Sequence, residues 1–183
     1  MKRIDIANLT LIPLFAALTA ILSQIAVPTP FIPFTLSLCA VFLAGGILGY
    51  KSAPSAMIVY MLIGAVGIPV FTGFKGGLAV LAGPTGGYLW SYPIMAFIIA
   101  FFRKKFKTHK AFAMISGMAA SLAVCYTLGT IQFMLYTNGT FIECLMTAVV
   151  PFIFFDILKI ALSSAVCLAL DKIPVIAKIS DRS

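Results

Sequence analysis

The chain has 183 residues, 62% of them apolar and only 10% charged, with a mean hydropathy of +1.11, which excludes an ordinary soluble domain. Its net charge of +8 would suit nucleic acid on a soluble protein. On a chain this apolar, basic residues report orientation across a lipid bilayer instead, so no nucleic-acid partner is expected. At about 20 residues per span, the length predicts an all-α membrane protein, a single domain over residues 1–183 built as a bundle of six transmembrane helices.

The first helix is expected over residues 7–27. Lys2 and Arg3 precede it in the manner of a signal peptide, but the apolar run at 9–27 is long for one and reads as a retained span. Ala16 and Ala20 form a small-xxx-small pair that lets another helix approach closely. The segment Pro28-Thr29-Pro30-Phe31-Ile32-Pro33 holds three prolines and must be a stiff, extended loop. Helix 2 is expected over 34–50, closing at Gly45, Gly46 and Gly49, and helix 3 over 53–67.

Residues 67–88 have a different texture. Glycines and prolines block a continuous helix, while Phe, Val and Leu keep the segment apolar. Irregular backbone at membrane depth is tolerated only when buried in protein or lining a cavity, which predicts a re-entrant or capping loop over a binding site. Gly83-Pro84-Thr85-Gly86-Gly87 lacks the Gly-Lys-Ser/Thr ending of a phosphate-binding loop.

Helix 4 is expected over 87–102, stopping at the basic cluster from Arg103 to Lys110, and helix 5 over 111–136. Asn138-Gly139 marks a turn, 141–150 a short outer helix carrying Glu143, and Pro151 opens helix 6 over 151–170. With the N-terminus inside, eleven of the thirteen Lys and Arg residues fall on the inner side, so both termini are expected in the cytoplasm. Cys39, Cys125, Cys144 and Cys167 lie apart in apolar surroundings without metal-ligand spacing, and the lone His109 sits in the basic loop. No metal or cofactor is expected.

Helix 6 carries the chemistry. Asp156 and Lys159 are three residues apart, on one helical face and close enough to pair. Each charge costs about 2.5–3.5 kcal/mol on membrane-insertion scales and usually faces a bundle interior or a solute pathway. At 1.5 Å per residue they lie roughly 7 and 12 Å below Pro151, in the outer half, beneath the glycine-rich segment. A cavity roofed by Phe71, Phe74, Tyr88 and Trp90 and floored by an acid and an amine suits a small amphipathic solute with an acid at one end and N–H groups at the other. Neither a nucleophile and base at catalytic spacing nor an ATP motif is present, so uphill transport would need a partner or a coupled ion. An intramembrane enzyme acting on a lipid-like substrate is the alternative, with only Glu143 on the same side as the pair.

These residues resemble the BioY family, the biotin-binding S components of energy-coupling factor (ECF) transporters. The matching stretches are Gly64-Ala65-Val66-Gly67-Ile68-Pro69-Val70-Phe71, Gly73-Phe74-Lys75-Gly76-Gly77, Leu81-Ala82-Gly83-Pro84-Thr85-Gly86-Gly87-Tyr88-Leu89, and Pro151 through Asp156 to Lys159. The resemblance implies a cell-membrane protein that binds biotin near the outer face, under the loops after helices 1 and 3. It implies polar contacts from Asp156 and Lys159, with Phe71, Thr72, Lys75, Thr85 and Tyr88 contributing from the second loop. As partners it implies a transmembrane T component, docked on Ala16 and Ala20, and two cytoplasmic ATPases that use ATP. An S component for another small vitamin is the nearest alternative. Many relatives carry Gln where this chain has Ser37, and often Gly where it has Phe155.

Overall fold

The computed structural model describes residues 6–27, 32–106, 108–174 and 176. The chain is mostly helical, and its elements fall close to the expected ones: α1 (Ile6–Gln24), α2 (Ser37–Ile47), α3 (Ser52–Ala65), α4 (Leu78–Ala82), α5 (Gly86–Lys105), α6 (Lys110–Thr137), α7 (Phe141–Ala148) and α8 (Ile153–Leu170). Two stretches, Lys110–Thr137 and Phe141–Leu170, are by length and composition apolar enough to cross a membrane.

The departures have local causes. Helix α1 ends three residues early because Ala26 and Val27 leave it as strand β1 (Ala26–Val27), which pairs antiparallel with β2 (Phe34–Thr35). The two strands bracket the proline-rich loop, whose residues 28–31 lie outside those described. Helix α5 runs on through Arg103, Lys104 and Lys105, whose positive charge suits the negative end of the helix dipole. Within the expected irregular loop stands one short helix, α4, fenced by Gly77 and Gly83. Thr140 and Glu143 cap α7 reciprocally: the Glu143 carboxylate accepts from the Thr140 amide at 3.0 Å, and the Glu143 amide donates to Thr140 Oγ1. Glu143 is thereby a capping residue on an exposed turn, not the reactive group that an enzyme would require.

Helix α2 is buried along most of its length, as a helix apolar on all sides should be. Its two glycines permit the close contacts. A Cβ at Gly45 would stand 2.8 Å from that of Ile99 on α5, and one at Gly46 would stand 2.4 Å from Cys167 Sγ on α8. Helices α5 and α6 lie along each other, and α1 packs on α2 and α3.

Ala16 and Ala20 make their close contact within the bundle. Ala16 is 2% exposed and belongs to the central apolar cluster, and Ala20 packs half-buried against it. The helical period that aligns the two alanines aims them into this bundle, and leaves Pro13, Leu14, Ala17 and Ile21 as the exposed face of α1.

Candidate functional site

Asp156 and Lys159 sit on the first two turns of α8 and are 3% and 4% exposed. Lys159 Nζ donates to Asp156 Oδ1 at 2.8 Å, and the hydroxyl of Tyr126, on α6, donates to Asp156 Oδ2 at 2.6 Å. Both carboxylate oxygens are therefore engaged. The ammonium also lies 3.8 Å from the centroid of the Phe34 ring, a contact that stabilises a desolvated cation. Phe34 is held in turn by Phe152, stacked at 5.9 Å, and by Phe155 at 5.3 Å. Phe155 thus braces the aromatic face on which Lys159 rests.

Beside this pair lies a cavity of 380 Å³, within the range of small-molecule sites. Asp156, Lys159, Phe71, Thr72, Lys75, Thr85 and Tyr88 all line it. Seven residues drawn from sequence positions 71–159 converge on one hollow, because the segment between α3 and α5 folds back over the start of α8. Its wall further comprises Phe34, Thr35 and Leu38 from the first loop and α2, and Leu89 and Tyr92 from α5.

The individual roles differ. Phe71 is 1% exposed, its ring set edge-on against Tyr60 at 5.6 Å and into a notch left by Gly64, where a Cβ would come within 2.1 Å of it. It anchors the covering segment as well as lining the cavity. The Tyr88 ring packs on Gly129, and its hydroxyl is buried next to Thr130, so Tyr88 presents an aromatic face rather than a donor. Lys75 is exposed, and no ion pair engages it among the described residues. Ser37 is buried, bonded to Thr35 at 2.6 Å and to the Tyr92 hydroxyl at 2.7 Å, and so braces the wall. Two residues expected in the roof lie elsewhere. Phe74 is 74% exposed at the tip of its turn, and Trp90 faces outward, its Nε1 donating to the Leu81 carbonyl at 3.2 Å.

Sequence reasoning missed three contributors. Tyr126 and Phe34 bear on the charge pair from 30 and 125 positions away in the chain. Gln132 of α6 donates to the carbonyls of Leu81 and Gly83, both at 2.8 Å, and fixes the far end of the covering segment. Polar side chains on otherwise apolar helices were the available signal for Tyr126 and Gln132.

A helical bundle with a walled hollow beside a buried ion pair defines a solute-binding membrane protein. The model of the BioY family matches residues 1–174, and the chain belongs to that family. It is 38% identical over 162 residues to a biotin transporter of Thermotoga maritima, covering 88% of this chain and 94% of that one. It is 37% identical over 173 residues to a biotin transporter of Lactococcus lactis subsp. cremoris, covering 93% of each. Among solved structures, it is similar to the crystal structure of the S-component for biotin from an ECF-type ABC transporter, with a TM-score of 0.86 and 27% identity over 94% of each chain. The chain is accordingly a membrane transport protein and not an enzyme.

Proposed function

We propose that this chain is the substrate-binding component of a biotin uptake transporter, with six helices spanning the cell membrane and both termini in the cytoplasm. It captures biotin at the outer face and passes it inward with a transmembrane T component and two cytoplasmic ATPases, which use ATP. The observation that carries this reading is the buried Asp156–Lys159 pair with a cavity alongside it. The family membership supports biotin as the solute.

The charges suggest how biotin lies. The pair is already neutral and hydrogen-bonded, so it suits the uncharged ureido ring, whose N–H groups can donate to Asp156 and whose carbonyl can accept from Lys159. Lys75, at the exposed rim and free of a carboxylate partner among the described residues, suits the valerate carboxylate. The apolar wall of Phe71, Tyr88, Leu89 and Tyr92 lies between. Thr72 and Thr85 offer hydroxyls at the rim.

Equilibrium binding to purified protein tests the reading. Biotin binds far more tightly than an unrelated acid such as nicotinate; equal affinity for both rejects biotin as the solute.

A further inference from the structure

The segment covering the cavity is held at its two ends in different ways. Its second half, residues 78–86, is a helix with adjoining turns, pinned by Gln132 and Trp90 to α6 and α5. Its first half, residues 67–77, is a narrow hairpin. Phe71 and Lys75 exchange backbone hydrogen bonds at 2.9 and 3.2 Å, and the amide of Gly77 donates to the Gly64 carbonyl at 2.7 Å to close the neck. The hairpin is jointed by Gly67, Gly73 and Gly77, with φ of +104°, +73° and +95°, and open space surrounds the position of each missing Cβ. Glycine occupies such conformations at no steric cost, so these are points about which the hairpin can turn. Phe71 and Val70 pack on the central apolar cluster, and the rest of the hairpin's attachment to the helices, among the described residues, is polar.

That attachment centres on one side chain. Gln24, the last residue of α1, does not line the cavity. Its Nε2 lies 3.1 Å from the carbonyl oxygens of both Val70 and Phe71, and its Oε1 accepts from the Phe74 amide at 2.9 Å. Ser23 donates to the Val70 carbonyl at 2.6 Å and supports Gln24 Nε2 at 3.0 Å, while Tyr60 reaches the same carbonyl at 3.3 Å. A carboxamide is the side chain this place requires, because the hairpin turns both acceptors and a donor toward it. Two residues on, Ala26 and Val27 pair with Thr35 and Phe34, so the chain leaving the same helix end is tied to two further lining residues of the cavity.

We propose that Gln24 is a positioning residue for solute retention, a clasp whose amide holds the hairpin of residues 67–77 closed over the cavity and whose release sets the rate at which bound solute escapes. The inference rests on the proposed function for its solute, while the clasp itself can be read without any solute.

The experiment uses the full chain in lipid nanodiscs, with Gln24→Met, which keeps length and removes every polar contact, and Gln24→Glu, which keeps the acceptor for Phe74 but sets a carboxylate against two carbonyls. Amide hydrogen exchange followed by mass spectrometry is measured without ligand, and biotin dissociation by chase with unlabelled biotin. In both variants, peptides from 67–77 exchange at least fivefold faster while 78–86 keeps its rate, and biotin leaves at least fivefold faster with a smaller change in association. Unchanged exchange at 67–77 overturns the clasp. Faster exchange with an unchanged biotin dissociation rate overturns its role in retention. Equal acceleration in both halves, with a lowered melting temperature, overturns positioning in favour of general structural support. If Gln24→Met does not yield folded protein, Gln24→Glu carries the same readings. Should the unsubstituted protein bind no biotin, the proposed function fails, yet the exchange measurement still decides the clasp.

Discussion

The two ends of α8 each carry a buried acid paired with a cation, and the first pair lines a cavity whose described wall does not include the second. At the first, Asp156 pairs with Lys159 beside the 380 Å³ cavity. About 22 Å further along the helix, fifteen residues at 1.5 Å each, Asp171 pairs with Arg103 from α5, with Lys110 of α6 at 3.3 Å. Arg103 also donates to the carbonyl of Gly46, in the last turn of a buried helix that glycine brings close to α5 and α8. A guanidinium has fixed, forked donors that suit a carboxylate and a carbonyl together, and with Lys110 this cluster joins α2, α5, α6 and α8. The ammonium of Lys159 has one carboxylate and one aromatic face, and the residue lines the cavity. A buried ion pair alone therefore does not mark a binding site; unfilled space beside it does.

Cutting each pair separates the two roles. Asp156→Ala strands a buried ammonium, a loss of about 3–5 kcal/mol, and should lower biotin affinity by well over 100-fold together with thermal stability. Asp171→Ala strands Arg103 in the same way and should lower the melting temperature comparably, while biotin affinity of the folded protein stays within twofold. Isothermal titration and a thermal-shift assay on the same preparations distinguish them; a tenfold loss of affinity in Asp171→Ala would show that the ends are not independent. Lys159→Ala leaves Asp156 bonded to Tyr126 and should weaken biotin at least tenfold, about 1.4 kcal/mol. Unchanged affinity there removes Lys159 from the site. Tyr126→Phe deletes one hydrogen bond to the acid and should cost three- to tenfold in affinity, roughly 0.5–1.5 kcal/mol, with Asp156→Ala masking its effect in the double variant.

The sequence made much of the first end legible and almost none of the second. Asp156 and Lys159 stand out because charge within an apolar run has few uses, and the glycine- and proline-rich loop because its backbone cannot be a span. Arg103 and Asp171, by contrast, look like solvated residues at helix ends, 68 positions apart, and nothing local joins them. Gln24 reaches 46–50 residues ahead to meet backbone atoms rather than side chains, so its partners carry no residue-type signal. Ala16 and Ala20 show the complementary limit: a small-residue spacing identifies a close helix contact but not which helix, and the contact among the described residues lies within the bundle.

The smallest expected effect concerns the rim and sharpens the comparison most. Were the deep pair to meet the solute's carboxylate, the added negative charge would confront an Asp156 whose countercharge is already committed to it. Lys75 has no such commitment among the described residues, and its position on the hairpin keeps it near water, where an ion pair is weak and screened. Lys75→Gln should therefore weaken biotin only about threefold at low salt and less as salt rises, in keeping with the modest strength of exposed pairs. The same change should leave the affinity for biotin methyl ester untouched, since the ester offers no charge for Lys75 to meet. Competition of the acid and the ester against labelled biotin, in Lys75→Gln and in Lys159→Ala, reads the orientation directly. If the acid's advantage over the ester disappears in Lys159→Ala and survives in Lys75→Gln, biotin lies the other way round, with its carboxylate at the buried pair.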